Sequence, residues 1–335
     1  MKLLLAFLIT LFATGVQADA SPAEPLDEQA LKPVKVSENI WAIVGPLTNR
    51  TPENLGNNAT FGLIITTEGL ILVDPGGSRK GAGALHAVIR EISDKPIKYV
   101  INTGGQDHRW FGNGYFRELG ARIISSKAAA ADHEARFNDQ VLRLAALIGD
   151  ENFAGTEAVY ADIFFDESYR LTVGETAIEI YHKGQAHTPG DSYVWIPGAK
   201  VVFSGDIVYV DRMLGIGEQS SSKQWVKVFE AMAALDPEIV VPGHGGPVKL
   251  EKARKDTYDY LVTLRERTAA FIDEGGDISE VADIRQDEFA YLLNYDTLRG
   301  RNAQKVYSEL EFESRASTCP ERGVIPAALP GPCFP

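Results

Sequence analysis

Cysteine is nearly absent: two residues in 335, Cys319 and Cys333, both in the Pro/Gly-rich tail "CPERGVIPAALPGPCFP". No histidine lies near them in the sequence, which argues against a Cys-based metal site. What remains is a disulfide closing a short loop in an oxidising compartment. Positive charge is also in short supply, with 33 Lys and Arg against 46 Asp and Glu and a net charge of −13. A polyanion would be repelled, so a nucleic-acid partner is excluded. The acidic residues are scattered rather than blocked, as on a well-solvated surface. After residue 20 there is no apolar run long enough to span a bilayer.

The one long apolar run stands at the start. Lys2 precedes "LLLAFLITLFATGV", and Ala18-Asp19-Ala20 supplies the small-x-small pattern of a cleavage site. Residues 1–20 read as a secretory signal peptide and the mature chain as periplasmic, free of the membrane once the signal is removed. Residues 21–35 read as a Pro- and Ala-rich leader arm.

A chain this long and 44% hydrophobic buries a large core, as one big domain with an appendage or as two domains. β-like runs ("NIWAIVG", "TFGLIITTEGLILVDPG", "KYVINT", "ARIISS") alternate with helical patterns ("GAGALHAVIREISDK", "SKAAAADHEARFNDQVLRLAALI"). A second β-rich half follows, with "ESYRLTVGETAIEIYHKG", "DSYVWIPGAKVVFSGDIVY" and "PEIVVPGHG"; the helix "SKQWVKVFEAMAAL" separates the last two. Two β-then-α halves predict an α/β sandwich with helices outside, over residues 36–250. From 251 to 315 only helical patterns remain. In "KARKDTYDYLVTLRERTAAFIDEG", Tyr258, Leu261, Leu264, Phe271 and Ile272 recur at helical spacing and Gly275 marks a stop. A further helix runs through "RNAQKVYSELEFES", and residues 316–335 form the tail.

Three of the six histidines sit in Gly-rich turns directly after strand-like runs: His108 in "NTGGQDHRWFGN", His187 in "KGQAHTPGDS" and His244 in "VVPGHGGP". Asp206 has the same setting in "VVFSGDIVY". Glycine lets the chain turn sharply and present the next side chain at a strand's end, where ligands converge. Four such turns make a metal-site constellation. His86 and His133 lie in helical stretches and read as surface or packing residues. His182, on "IEIYHKG", reads as structural, and Asp74, which ends "LILVD", as a hydrogen-bonding support.

With "LILVDPG", "DHRWFGN", "AHTPGDS", "FSGD" and "VPGHG" in this order, residues 36–250 resemble the metallo-β-lactamase superfamily. The stretch "NYDTLRGRNAQKVYSELE" is further similar to exported hydrolases associated with quinoprotein and sulfur-oxidation systems. The resemblance implies an αββα sandwich with a metal site at one edge and a C-terminal helical extension. The family's loop reads Thr-His-x-His-x-Asp-His; two histidines serve one metal and the Asp-His pair a second. Here Asp107 and His108 match that pair. Thr103 and Gly105 stand where the histidines belong, or, with a one-residue deletion, Gly104 and Gln106 do.

The resemblance therefore implies one divalent ion, zinc above iron or manganese, in the second position, held by Asp107, His108, Asp206 and His244. His187 belongs to the dismantled first position. The function implied is hydrolysis of a small carbonyl substrate, a thioester, lactone or relative, by metal-activated water. Asp107 would orient that water or act as base, while His187, Gln106 and backbone amides stabilise the oxyanion. β-Lactam and persulfide chemistry are disfavoured because the ligand sets they use are broken. The competing class is a degenerate member that binds a ligand or a partner in a periplasmic redox system through the same cleft. One tightly held metal per chain favours the enzyme.

Overall fold

The computed structural model describes residues 29–318. The expected signal segment, most of the leader arm and the Cys319/Cys333 pair lie outside these residues.

The chain opens with a four-stranded antiparallel meander: β1 (Lys32–Ser37), β2 (Ile40–Val44), β3 (Thr60–Ile65) and β4 (Leu70–Val73). Alternating helices and strands then follow. Helix α1 (Arg79–Ile92) leads to β5 (Ile97–Asn102), α2 (Asn113–Glu118) to β6 (Arg122–Ser126), and α3 (Lys127–Ile148) with the single turn α4 (Asp150–Phe153) to β7 (Ile163–Phe165). β4 to β7 pair in parallel, completing a seven-stranded sheet in sequence order. The second sheet holds β8 (Ser168–Val173), β9 (Thr176–Tyr181), β10 (Tyr193–Ile196), β11 (Val201–Phe203) and, after α5 (Ser222–Ala233), β12 (Ile239–Val241) parallel to β11. The described residues end in α6 (Leu250–Ala253), a π-helical turn at Arg254–Tyr258, α7 (Asp259–Asp273) and α8 (Tyr295–Thr318).

Layering follows from side-chain alternation. In β4, Ile71 and Val73 join Ile64, Ile101, Val194, Val201 and Phe203 between the sheets, while Leu70 and Leu72 face Ala82, Leu85 and Ile89 of α1. The outer face of the second sheet carries Trp195, Val202 and Val240 against Trp225, Phe229, Leu261, Leu264 and Val306. The order is helix, sheet, sheet, helix, as expected. Ser78 starts α1 by accepting the Gly81 amide at 2.9 Å, an N-cap worth about 1 kcal/mol. Leu85, with no exposed surface, would cost about 2–5 kcal/mol as alanine.

Two boundaries differ from expectation. The arm's end at residue 35 falls inside β1, a short "KPVKVS" segment that pairs with β2 at the sheet edge. The short β7 lies in a stretch without a strand signal, and is a strand because it extends β6 at the sheet edge.

Candidate metal centre

Four loops leave the ends of β5, β9, β11 and β12 on one edge of the sandwich, carrying His108, His187, Asp206 and His244. Three of these converge. One ligand atom each from His108, Asp206 and His244 lies within 4.8 Å of the other two, and all three residues are buried. His108 Nε2 stands 3.3 Å from Asp206 Oδ2, and His244 Nε2 stands 3.2 Å from Asp206 Oδ1.

A hydrogen bond on the far side of its ring fixes the His244 tautomer. His244 Nδ1 is 2.8 Å from the Asn58 carbonyl, which accepts but cannot donate, so the proton is on Nδ1 and the Nε2 lone pair faces Asp206. Two acceptors thus face each other in a buried place, as they do around a cation. His108 Nδ1 lies between Arg50 Nη2 at 2.9 Å and Asp107 Oδ1 at 3.1 Å, and its Nε2 faces Asp206. Tyr209 stacks on the His244 ring, with centroids 4.6 Å apart. The donor set therefore fits one divalent ion with three protein ligands and an open position.

Asp206 is held from behind by Arg109. This fully buried guanidinium donates from Nη2 to Oδ1 at 2.7 Å and from Nε to Oδ2 at 3.2 Å. Its Nη1 donates to Asp74 Oδ2 at 2.8 Å, and both its Nη atoms reach backbone oxygens, of Thr60 and Gly243. Gly243 makes room: a Cβ there would lie 2.6 Å from Arg109 Nη2. Burial works against the charge on Asp206, yet Arg109 and the histidines outweigh it and keep the carboxyl well below its usual range. Asp74 is in the left-handed region, φ 64°, at the strand end, and also accepts the Thr103 amide and hydroxyl. There burial dominates and the carboxyl is raised despite Arg109.

The expected ligand set differs from this at Asp107. Its carboxylate turns away from the three, to Arg50, whose Nη2 and Nε reach Oδ1 at 2.6 and 2.9 Å; the His108 amide donates to the same oxygen. Burial opposes its ionisation, but Arg50 and His108 prevail and hold it far below the usual range. Asp107 is thus an ionised anchor for the His108 ring, with no tendency to take up a proton near neutrality. Arg50 lies 57 residues upstream, which hid this partner from sequence reading.

His187 also lies outside the group of three, though it lines the same cleft. Its Nδ1 is 3.1 Å from the Gly215 carbonyl, which gives Nε2 a lone pair. Burial, above all, lowers its pKa to about 4. The neutral ring can accept a proton or serve as a further ligand; it is not the oxyanion donor expected. Gln106 lines the cleft and has a side-chain amide to offer.

At Gly104 and Gly105 the loop before His108 has no room for a histidine side chain. A Cβ on Gly105 would lie 1.7 Å from Asp132 Oδ2, and one on Gly104 2.4 Å from Asp191 Oδ1. Helix α3 clamps this stretch: His133 Nε2 donates to Gly104 O at 2.9 Å, and Arg136 and Gln140 donate to Gly105 O at 3.1 and 2.9 Å. His133 is fully buried and stacked on Trp110. His86 pairs with Tyr115, and His182 with the Asp191 carbonyl, both away from the centre.

Above the centre is a cleft of about 230 Å³, with Leu298, Arg301 and Asn302 of α8 forming one wall. Sequence reading missed Arg109, Arg50, Arg212 and this wall. Only Arg109 carried a signal, a charge next to His108 in an otherwise apolar "HRWF".

A model of the Metallo-beta-lactamase superfamily matches residues 56–244. A metallo-beta-lactamase type 2 from Elizabethkingia meningoseptica is 23% identical over 80% of this chain and 98% of its own length. A linear primary-alkylsulfatase from a Pseudomonas species is 23% identical over 64% of this chain, which spans about half (47%) of that enzyme. Among solved structures, a metallo-beta-lactamase from Pontibacter korlensis superposes with TM-score 0.54 at 22% identity, over 69% of this chain and 99% of that one. The sec-alkylsulfatase Pisa1 from a Pseudomonas species superposes with TM-score 0.65 at 17% identity, over 83% of this chain and 50% of that one.

Proposed function

Because the chain belongs to the metallo-β-lactamase superfamily, whose members are hydrolytic metalloenzymes, we propose that it is a mononuclear hydrolase of a small ester-type carbonyl substrate, acting outside the cytoplasm. The observation that carries this reading is the buried His108, Asp206 and His244 cluster, with the His244 lone pair turned onto a carboxylate. These three would hold the ion, zinc being well suited to a two-imidazole, one-carboxylate set. When bound, a divalent ion polarises a substrate oxygen and lowers the pKa of water towards about 7.

The chain's own groups do the rest. Asp107 and Arg50 hold the His108 ring, and Asn58 holds that of His244, so the donors need no reorganisation. The neutral His187 ring would offer its Nε2 lone pair to a substrate or water proton, and the Gln106 amide, which lines the same cleft, would donate to developing charge. Tyr209, Met213 and Leu298 give the cleft its apolar lining.

The test is to load the purified chain with zinc, iron or manganese, dialyse, and measure metal per chain alongside hydrolysis of aryl ester, thioester and lactone panels. One equivalent with metal-dependent turnover is expected. Two equivalents would overturn the mononuclear site, and tight metal without turnover on any panel would overturn the hydrolase. Sequencing the N-terminus of the protein recovered from its native host tests export: mature protein should begin near residue 21.

A further inference from the structure

The cleft over the centre is charged against the grain of the molecule. The chain carries net charge −13, yet the cleft lining includes four arginines, Arg50, Arg143, Arg212 and Arg301, and no Asp or Glu. Arg50 is neutralised by Asp107. The other three are not. Arg212 is 8% exposed, and its partners are all neutral: the Leu47 and Thr48 carbonyls at 2.9 Å and Asn49 Oδ1 at 3.3 Å. Its buried Nε has no hydrogen-bond partner. Arg143 on α3 and Arg301 on α8 are exposed on opposite walls and, among the described residues, form no ion pair. A buried guanidinium without a carboxylate, beneath two more unpaired guanidiniums, is a costly arrangement unless an anion completes it. Arginine's planar fork suits the paired oxygens of an oxyanion. A space of about 230 Å³ admits a small molecule's headgroup and no macromolecular segment.

We infer that the substrate bears an oxyanion, sulfate, phosphate or carboxylate, which Arg212 binds at the cleft wall and Arg143 and Arg301 close over, beside the histidines. This deepens the hydrolase reading by naming the substrate class, and rests on that reading for calling the ligand a substrate. The arginines supply the recognition, so binding does not depend on the ion at the centre.

The experiment is calorimetric titration of sodium sulfate, phosphate and acetate into the full-length protein at low ionic strength, before and after chelation. Saturable binding of at least one of these anions is expected in both states, weakened ten-fold or more in R143Q/R301Q and in R212Q. The tightest of the three identifies the headgroup: sulfate or phosphate for a tetrahedral ester, acetate for a carboxylate. Arg212 also ties down the 47–49 loop, so R212Q is read only if its circular dichroism is native; the exposed double variant stands independently. Absence of saturable binding, binding that vanishes on chelation, or unchanged affinity in R143Q/R301Q would overturn the inference. Turnover is not required, so the two readings fail separately: oxyanion binding without hydrolysis removes only the hydrolase, and hydrolysis without arginine-dependent binding removes only the oxyanion.

Discussion

Asp206 has a guanidinium along one edge and two imidazoles along the other, so the behaviour of the centre turns on single side chains. Replacing Arg109 by methionine would leave Asp206 and Asp74 buried without their counter-charge, and should destabilise the fold by about 3–5 kcal/mol in urea titration. Lysine should rescue little, because one ammonium cannot reproduce the two-point contact with Asp206. The histidines should sort differently. His108→Ala and His244→Ala each remove one of three converging donors and should lose metal on dialysis, whereas His187→Ala, outside that group, should retain it with reduced turnover; elemental analysis decides. If His187→Ala lost metal as fully as the others, the ion would sit between His187 and the three.

At the scale of elements, α3 and the Thr103–Gln106 loop act together. Because Asp132 and Arg136 occupy the ground beside Gly105, Gly105→His should not recruit a second metal equivalent. It should instead lower stability by about 1–3 kcal/mol through overpacking, read from elemental analysis and melting together. The same clamp sets a pH response. Burial above all lowers the His133 pKa to about 4, and its Nδ1 has no partner. A base depressed in the folded state contributes stability that is complete above the unfolded value of about 6.5 and is lost as pH falls through 4. His133→Phe keeps a ring against Trp110 and removes that titration. Its unfolding free energy from urea titration should therefore fall less between pH 6.5 and 4, by up to about 3 kcal/mol; a fall equal to the parent's would place the acid sensitivity elsewhere. None of this could be read from the sequence, where His133 is one more residue in an alanine-rich helix. Periodicity reports which face of α3 is buried, not that its histidine, arginine and glutamine reach back to two glycine carbonyls.

For the whole molecule, the layer order and the edge that bears the site were legible, because strand alternation and glycine turns are local signals. His108, Asp206 and His244 were legible for the same reason. The Asp107 pairing, the Arg109 support and the cationic cleft were not, since each depends on residues brought together only by the finished sandwich. The centre also joins its two sheets: His108 follows β5 of the first, Asp206 and His244 follow β11 and β12 of the second. Metal bound only by the folded form should stabilise it by about 4 kcal/mol at a thousand times its Kd. Chelation should accordingly lower the melting temperature of the parent and leave that of His244→Ala unchanged, as scanning calorimetry would show.

The wall that α8 gives the cleft has a consequence for timing. Asn302 accepts the Ile216 amide at 2.9 Å and donates to Leu214 O and the Tyr260 hydroxyl at 2.8 and 2.9 Å, fastening the helix to the loop that follows Asp206. Along the chain every metal donor is in place by residue 244, well before Arg301. A partly folded chain lacking a docked α8 can therefore own a metal centre before it owns an enclosed pocket. Until α8 docks, that wall is missing, and the cleft over the histidines lies open to water and to any passing solute.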